Sequence, residues 1–463
     1  MSANCIEKQR GRRSGFILVL GVLMIASLLL PAAGLAIDVG MMYLVETLLS
    51  AAADAATLAG ARALSRGSDD ASQRANAEST ANAYFHANFP NGYLWTNNLQ
   101  LTSTAATDST FLRSITTTAS VNLPLIFMRL FGISGTTVRA SAKSTRRDVN
   151  VMIVMDRSGS LANSGACTPL KAAAVNFVDK FAETRDNVGL ITFATSSRVD
   201  VAPATTFKTP VESTINSVVC TGATSSAQAL WQAYRQLVTL NQAGALNAIL
   251  FFTDGRPTAV TETFPIRSSS SCQSKSAKLG VMTLSYNGST PVSSQGLYLQ
   301  DAPPQPLSSD LTLIASRTNC HFASHQDQVS SDVQNAPVTD YWGNSLTTTA
   351  YRTVQYSGSG LDVSQAQNVE NFSTNAADHA ALRIRRGDPD PTQANRSLAG
   401  VVIYAVGLGD IDDVLLKRMA YDPSLTPNPV AAGNQGRYIY AADATQLDQA
   451  FTAVASEILR LAK

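Results

Sequence analysis

The pattern of apolar and polar positions changes character several times along the chain. From Phe16 to Ile37 it reads FILVLGVLMIASLLLPAAGLAI, with no charge inside the run. About 20 such residues match the hydrocarbon thickness of a bilayer at about 1.5 Å of helix rise per residue. Lys8, Arg10, Arg12 and Arg13 precede the run and Asp38 follows it. A basic flank predicts that residues 1–15 stay cytoplasmic, with 16–37 crossing the inner membrane once and the remainder exported. The same flank with Gly34 and Ala36 also fits a cleavable signal. The run is longer than the roughly 7–15 residues of a signal core, so we read it as an anchor.

Beyond the span the pattern becomes helical without a break, in VGMMYLVETLLSAAADAATLAGARAL, which is rich in Ala and Leu and free of Pro. A second helix is expected over DDASQRANAESTANAYFHANF. The alternation in SITTTASVNLPLIF and TTVRASAKS predicts a small β element, which completes a region from 38 to 147.

From 148 to 463, short continuously apolar runs alternate with amphipathic helices. Strands are expected at 149–155, 188–194, 247–253, 400–408 and 437–441. One helix is expected over TPLKAAAVNFVDKFAETR, capped by Thr168, with Leu170, Ala174, Phe177 and Phe181 on one face. Others are expected from Ser226 to Leu240 and along the stripe Leu447, Phe451, Val454, Ile458 and Leu461. This order predicts an α/β fold with a doubly wound, mainly parallel sheet covered on both faces. Residues 259–367, rich in Ser, Thr, Gln and Asn, interrupt it and are read as an ordered, β-leaning insertion.

Composition adds one exclusion and one compartment. The net charge is +1 with no basic stripe, so nucleic acid is not an expected partner. Cys167, Cys220, Cys272 and Cys320 all lie beyond the span, an even number where disulfides persist, and three pairings are open.

The candidate chemistry sits at strand ends. Asp156-Arg157-Ser158-Gly159-Ser160 closes the first strand as D-x-S-x-S, where ligands bind in open α/β sheets. Thr224 lies in a loop before the helix at 226–240, and Asp254-Gly255 closes the strand at 247–253. One or two carboxylates with hydroxyl oxygens suit a hard cation that keeps several waters. In this order, the three pieces resemble the metal-ion-dependent adhesion site (MIDAS) of von Willebrand factor A (VWA) domains. That resemblance implies that Asp156, Ser158, Ser160, Thr224 and Asp254 hold Mg²⁺, or Mn²⁺ or Ca²⁺, with a position left for a partner's acidic side chain. It also implies a Cys167–Cys220 bridge near the metal rim, which leaves Cys272–Cys320 as the second pair.

The N-terminal part, with its basic flank, single span, Asp38-Val39-Gly40 step and AADAA…LAGARAL helix, resembles TadG-like proteins of Flp (tight-adherence) pilus assembly. The resemblance implies pilus-assembly or envelope proteins as partners. No nucleophile elbow, phosphate loop or zinc-protease motif is present, so catalysis is not expected. Cys320, His321 and His325 have spacing compatible with a transition metal, although a disulfide and solvated histidines explain them more simply. Arg386-Gly387-Asp388 is read as helix termination. The expected function is metal-dependent docking of a protein partner at the envelope; the alternative is an assembly component whose VWA domain is a metal-independent scaffold.

Overall fold

The structure is a computed structural model. It describes residues 7–64, 66, 69–109, 111–264, 278–287, 290–299, 312–313, 351–357, 360–361, 366–426 and 432–462. The chain divides into two compact units, Met1–Arg146 and Arg147–Lys463.

The first unit is built on α1 (Glu7–Ala63), one helix that continues from the apolar run into the Ala-rich segment. Pro31–Ala63 is long and apolar enough to cross a membrane. The helix uses its residues differently along its length. Val22, Leu23, Met24, Ile25 and Leu29 are exposed, whereas Met41, Val45, Leu49, Ala52 and Ala56 are buried. That buried stripe packs against α2 (Asp70–Asn88), which begins with an Asp69/Ser72 capping box. It also covers an antiparallel sheet of β1 (Asn97–Ser109), β2 (Leu112–Pro124) and β3 (Gly135–Arg147), in that order. Inward-facing Ile115, Ala119, Val121 and Leu123 of β2 alternate with more exposed polar residues, the pattern of a sheet buried on one face.

The second unit runs through β4 (Val149–Asp156), α3 (Gly159–Asn163), α4 (Cys167–Val178), β5 (Asn187–Phe193) and β6 (Ser197–Ala204). It continues through α5 (Lys208–Ser217), α6 (Ser226–Leu240) and β7 (Leu246–Thr253). Next come the strands of the inserted segment: β8 (Ala259–Phe264), β9 (Lys278–Asn287), β10 (Thr290–Leu299), β11 (Thr312–Leu313), β12 (Tyr356–Ser357) and β13 (Gly360–Leu361). The unit closes with α7 (Ala366–Arg386), β14 (Val402–Leu408), α8 (Asp413–Ala420), β15 (Tyr438–Ala441) and α9 (Leu447–Leu461).

The main sheet has the order β15-β14-β7-β4-β5-β6, parallel throughout except for the antiparallel edge strand β6. Every residue of β4 is buried, because both faces are covered. Val151, Ile153 and Met155 face α4, α5 and α9, while Met152 and Val154 face α6, α7 and α8. The α/β, mainly parallel fold read from the sequence is therefore the observed one.

Three local readings need correction. Thr168 does not cap α4: the helix starts at Cys167 after Ala166, with no side-chain cap. It also ends at Val178, although Phe177 and Phe181 still stack in the core. Leu461 is 43% exposed and stands off the buried stripe of α9. Strand β6 and helix α5 had no counterpart in the sequence reading. In the inserted segment, β11-β10-β9-β8 form a sheet, whereas Cys272, Cys320, His321 and His325 lie outside the described residues.

Candidate metal centre

The centre of the main sheet positions the site. β4 and β7 pair in parallel with Met155 opposite Phe252, so both strands deliver their last residues to one edge. Asp156 ends β4 and is fully buried. Its Oδ1 accepts a 2.7 Å hydrogen bond from Ser158 N, and its Oδ2 accepts one of 2.6 Å from Thr253 Oγ1. Asp254 follows β7 directly. Its Oδ1 accepts hydrogen bonds from Ser160 Oγ at 2.7 Å and Ser158 Oγ at 3.2 Å. The two serine hydroxyls lie 3.0 Å apart. Asp156, Ser158, Ser160 and Asp254 thus form one connected oxygen cluster.

Thr224 is placed beside this cluster rather than bonded into it. Its loop runs against the D-x-S-x-S turn through Thr221 N to Arg157 O (2.7 Å) and Gly159 N to Gly222 O (2.9 Å). Thr224 itself is buried, its N–H donates to Thr258 Oγ1 at 2.8 Å, and its carbonyl accepts from Thr258 N and Ala259 N. Among the described residues, no hydrogen bond joins its hydroxyl to the cluster. Cys167 and Cys220 are disulfide-bonded, with Cα atoms 6.2 Å apart, and tie the start of α4 to the strand of loop leading into Thr221.

Two functional neighbours escaped the sequence reading. Thr253 orients Asp156, and Thr258 fixes the Thr224 backbone. A threonine just before a strand-end Asp was the available signal for the first. The second depends on a contact 34 residues apart and left no local mark.

Both carboxyls of the cluster are shifted upward. Burial, and then the charge of Asp254, push the Asp156 carboxyl from its ordinary 3.8 up to about 7. Burial raises Asp254 as well, against the hydrogen bonds from Ser160 and Ser158. The adjacent Arg157 directs its Nε to Thr192 Oγ1 at 3.3 Å. A hard divalent cation fits this donor set: carboxylate and hydroxyl oxygens only, with excess negative charge in a buried setting. Among the described residues no group of three or more His, Cys, Asp or Glu is placed to hold a metal ion, so this donor set rests on two carboxylates and neighbouring hydroxyls.

Residues 151–256, which span β4 through the Asp254 turn, match the family model of the von Willebrand factor type A domain. The second unit has the VWA fold. Residues 15–63, in α1, match the Flp pilus-assembly TadE/G-like family. Among solved structures, the chain is similar to the vWF domain of the type V pili tip protein Mfa5 from Porphyromonas gingivalis. The identity is 14%, the coverage 69% of this chain and 97% of that one, and the TM-score 0.37. It is also similar to the PilB minor pilin from Streptococcus sanguinis (13% identity, 80% and 79% coverage, TM-score 0.35). A third is the pilus adhesin SpaC from Lactobacillus rhamnosus GG, with 14% identity and a TM-score of 0.36. That match covers 81% of this chain and 35% of the adhesin. Among curated proteins, none matches the chain significantly.

The remaining motif of note belongs to the scaffold. Gly387, at φ +71°, ends α7, with Gly387 N bonded to Ile384 O and Asp388 N to Arg383 O. Arg383 also pairs with Asp388, whose carbonyl accepts from Tyr234 Oη at 2.7 Å. The Arg-Gly-Asp tripeptide is thus a helix terminus.

Proposed function

We propose that this is an inner-membrane-anchored envelope protein of Flp-type pilus assembly or surface attachment. In this reading its N-terminus is cytoplasmic, and its VWA domain docks an acidic group of a protein partner through a bound Mg²⁺. The observation that carries the reading is the convergence of Asp156, Ser158, Ser160 and Asp254 at the carboxyl edge of β4 and β7. Asp156 and Asp254 would supply the negative charge, and Ser158, Ser160 and Thr224 the hydroxyl oxygens. The cation would polarise and orient a carboxylate presented by the partner. The match of residues 15–63 to pilus-assembly proteins supports the cellular setting.

The inserted segment supports a role in choosing the partner. Its first strand begins at Ala259, whose N–H bonds Thr224 O, and Ala223 packs against Ala259 and Val281. The inserted sheet therefore starts at the rim of the oxygen cluster.

The test is in-cell crosslinking of the full chain, comparing parent with Asp156→Ala. Partner adducts that disappear in the variant and on chelation support docking through the metal. Adducts unchanged by both treatments would instead support the scaffold alternative.

A further inference from the structure

We propose that the loop between β2 and β3 is a second membrane contact, seated in the interfacial layer of the bilayer on the side away from the basic flank. The inference rests on reading the apolar run of α1 as a membrane anchor. It adds a lipid-binding surface from a different part of the fold.

The loop is fastened to α1 at two successive turns. Asp38 is fully buried, and its carboxylate accepts hydrogen bonds from Ile126 N (3.0 Å), Phe127 N (2.9 Å) and Met128 N (2.7 Å). One turn earlier, Gly34 leaves room for the Phe127 ring: a Cβ there would lie 2.4 Å from Phe127 Cγ. These attachment points fall at the end of the apolar run, within about one helix turn, or roughly 5 Å, of its last residue.

Most of the side chains that the loop does not tuck inward are apolar. Ile126 is 49% exposed, Leu130 81%, Phe131 68% and Ile133 44%, and Arg129 is exposed among them. Such a patch with a cation suits a bilayer interface, where acyl chains take the apolar tips and phosphates meet the guanidinium.

Continuity with the anchor fixes the occupant. On the N-terminal side of Gly34, α1 exposes Val22, Leu23, Met24, Ile25 and Leu29; the loop's apolar tips extend that surface at its outer end. On the C-terminal side α1 still exposes Val39, Tyr43 and Leu44, but it is no longer free on all faces. There α1 buries its stripe against α2 and a sheet that exposes Thr102, Thr104 and Thr118, and such polar surface is excluded from hydrocarbon.

The test uses the full chain in phospholipid nanodiscs, with Phe131 or, separately, Ile25 replaced by photoreactive p-benzoylphenylalanine. The expected result is a phospholipid adduct at both positions, read by mass spectrometry. An adduct at Ile25 with only water-quenched probe at Phe131 would overturn the loop contact and leave the anchor standing. Chain-to-chain crosslinks at Phe131 would overturn it in favour of a second copy. Lipid adducts at neither position would remove the anchor reading, and the proposal with it.

Discussion

Two buried aspartates, Asp38 in the first unit and Asp156 in the second, have the same exposure and opposite surroundings. Both are fully inaccessible. Asp38 receives three backbone N–H donors from one loop and, among the described residues, has no acidic group among its partners. Asp156 receives one N–H and one hydroxyl, and it faces Asp254 across the two serines. The protein itself finishes the first carboxylate, which makes it a structural pin. The second meets fewer donors and the like charge of Asp254, an arrangement that suits the proposed cation site. Burial alone does not distinguish structure from function; the balance of donors and like charges around the buried group does.

The largest effect is expected at the Asp38 pin. Asp38→Ala leaves three N–H groups without their charged acceptor, and should destabilise the first unit by about 3–6 kcal/mol. Denaturant unfolding of the detergent-solubilised chain would read this, with the β2–β3 loop losing amide protection first. Unchanged stability would show that water or another group replaces the carboxylate.

Next in size is the disulfide, which pins the rim of the second site. Its cysteines are 53 residues apart in sequence. Replacing both, Cys167→Ser with Cys220→Ser, should lower the stability of the VWA domain by about 3–4 kcal/mol on the chain-entropy view. The first unit should unfold as before.

A pH series sharpens the contrast from the other side. Asp156 holds its proton more tightly folded than unfolded, because its carboxyl is raised from 3.8 to about 7. The contribution of Asp156 to metal-free stability should therefore be fullest below about pH 4 and be lost as pH rises toward about 7, by roughly 2–4 kcal/mol. Asp156→Asn should flatten that slope, as should saturating Mg²⁺ in the parent chain. A slope that persists in Asp156→Asn would assign it to other groups.

Much of this was legible in the sequence, for identifiable reasons. β4 and β7 are buried on both faces, so their apolar runs stood out, and Asp156 and Asp254 follow directly as strand-end residues. β6 did not stand out, because an edge strand reading SRVDVAPA places Arg198 and Asp200 in an ion pair and needs only partial burial. α5 is short, carries Pro210 and β-branched residues, and buries only Val211 and Ile215. The start of α4 was misread because Thr168 has the composition of a cap, whereas the chain enters the helix one residue earlier, at the bridged Cys167. The role of Asp38 was invisible, since its donors lie 88 to 90 residues away.

The central claim, that the second carboxylate cluster binds a hard cation, is tested most directly by calorimetric titration of Mg²⁺ into the full chain. Excess acetate would stand in for a partner's carboxylate, and an Asp156→Ala, Ser160→Ala double variant would be run alongside. The account predicts saturable binding by the parent that is lost in the variant. Equal binding by both proteins, or none by the parent, would contradict it.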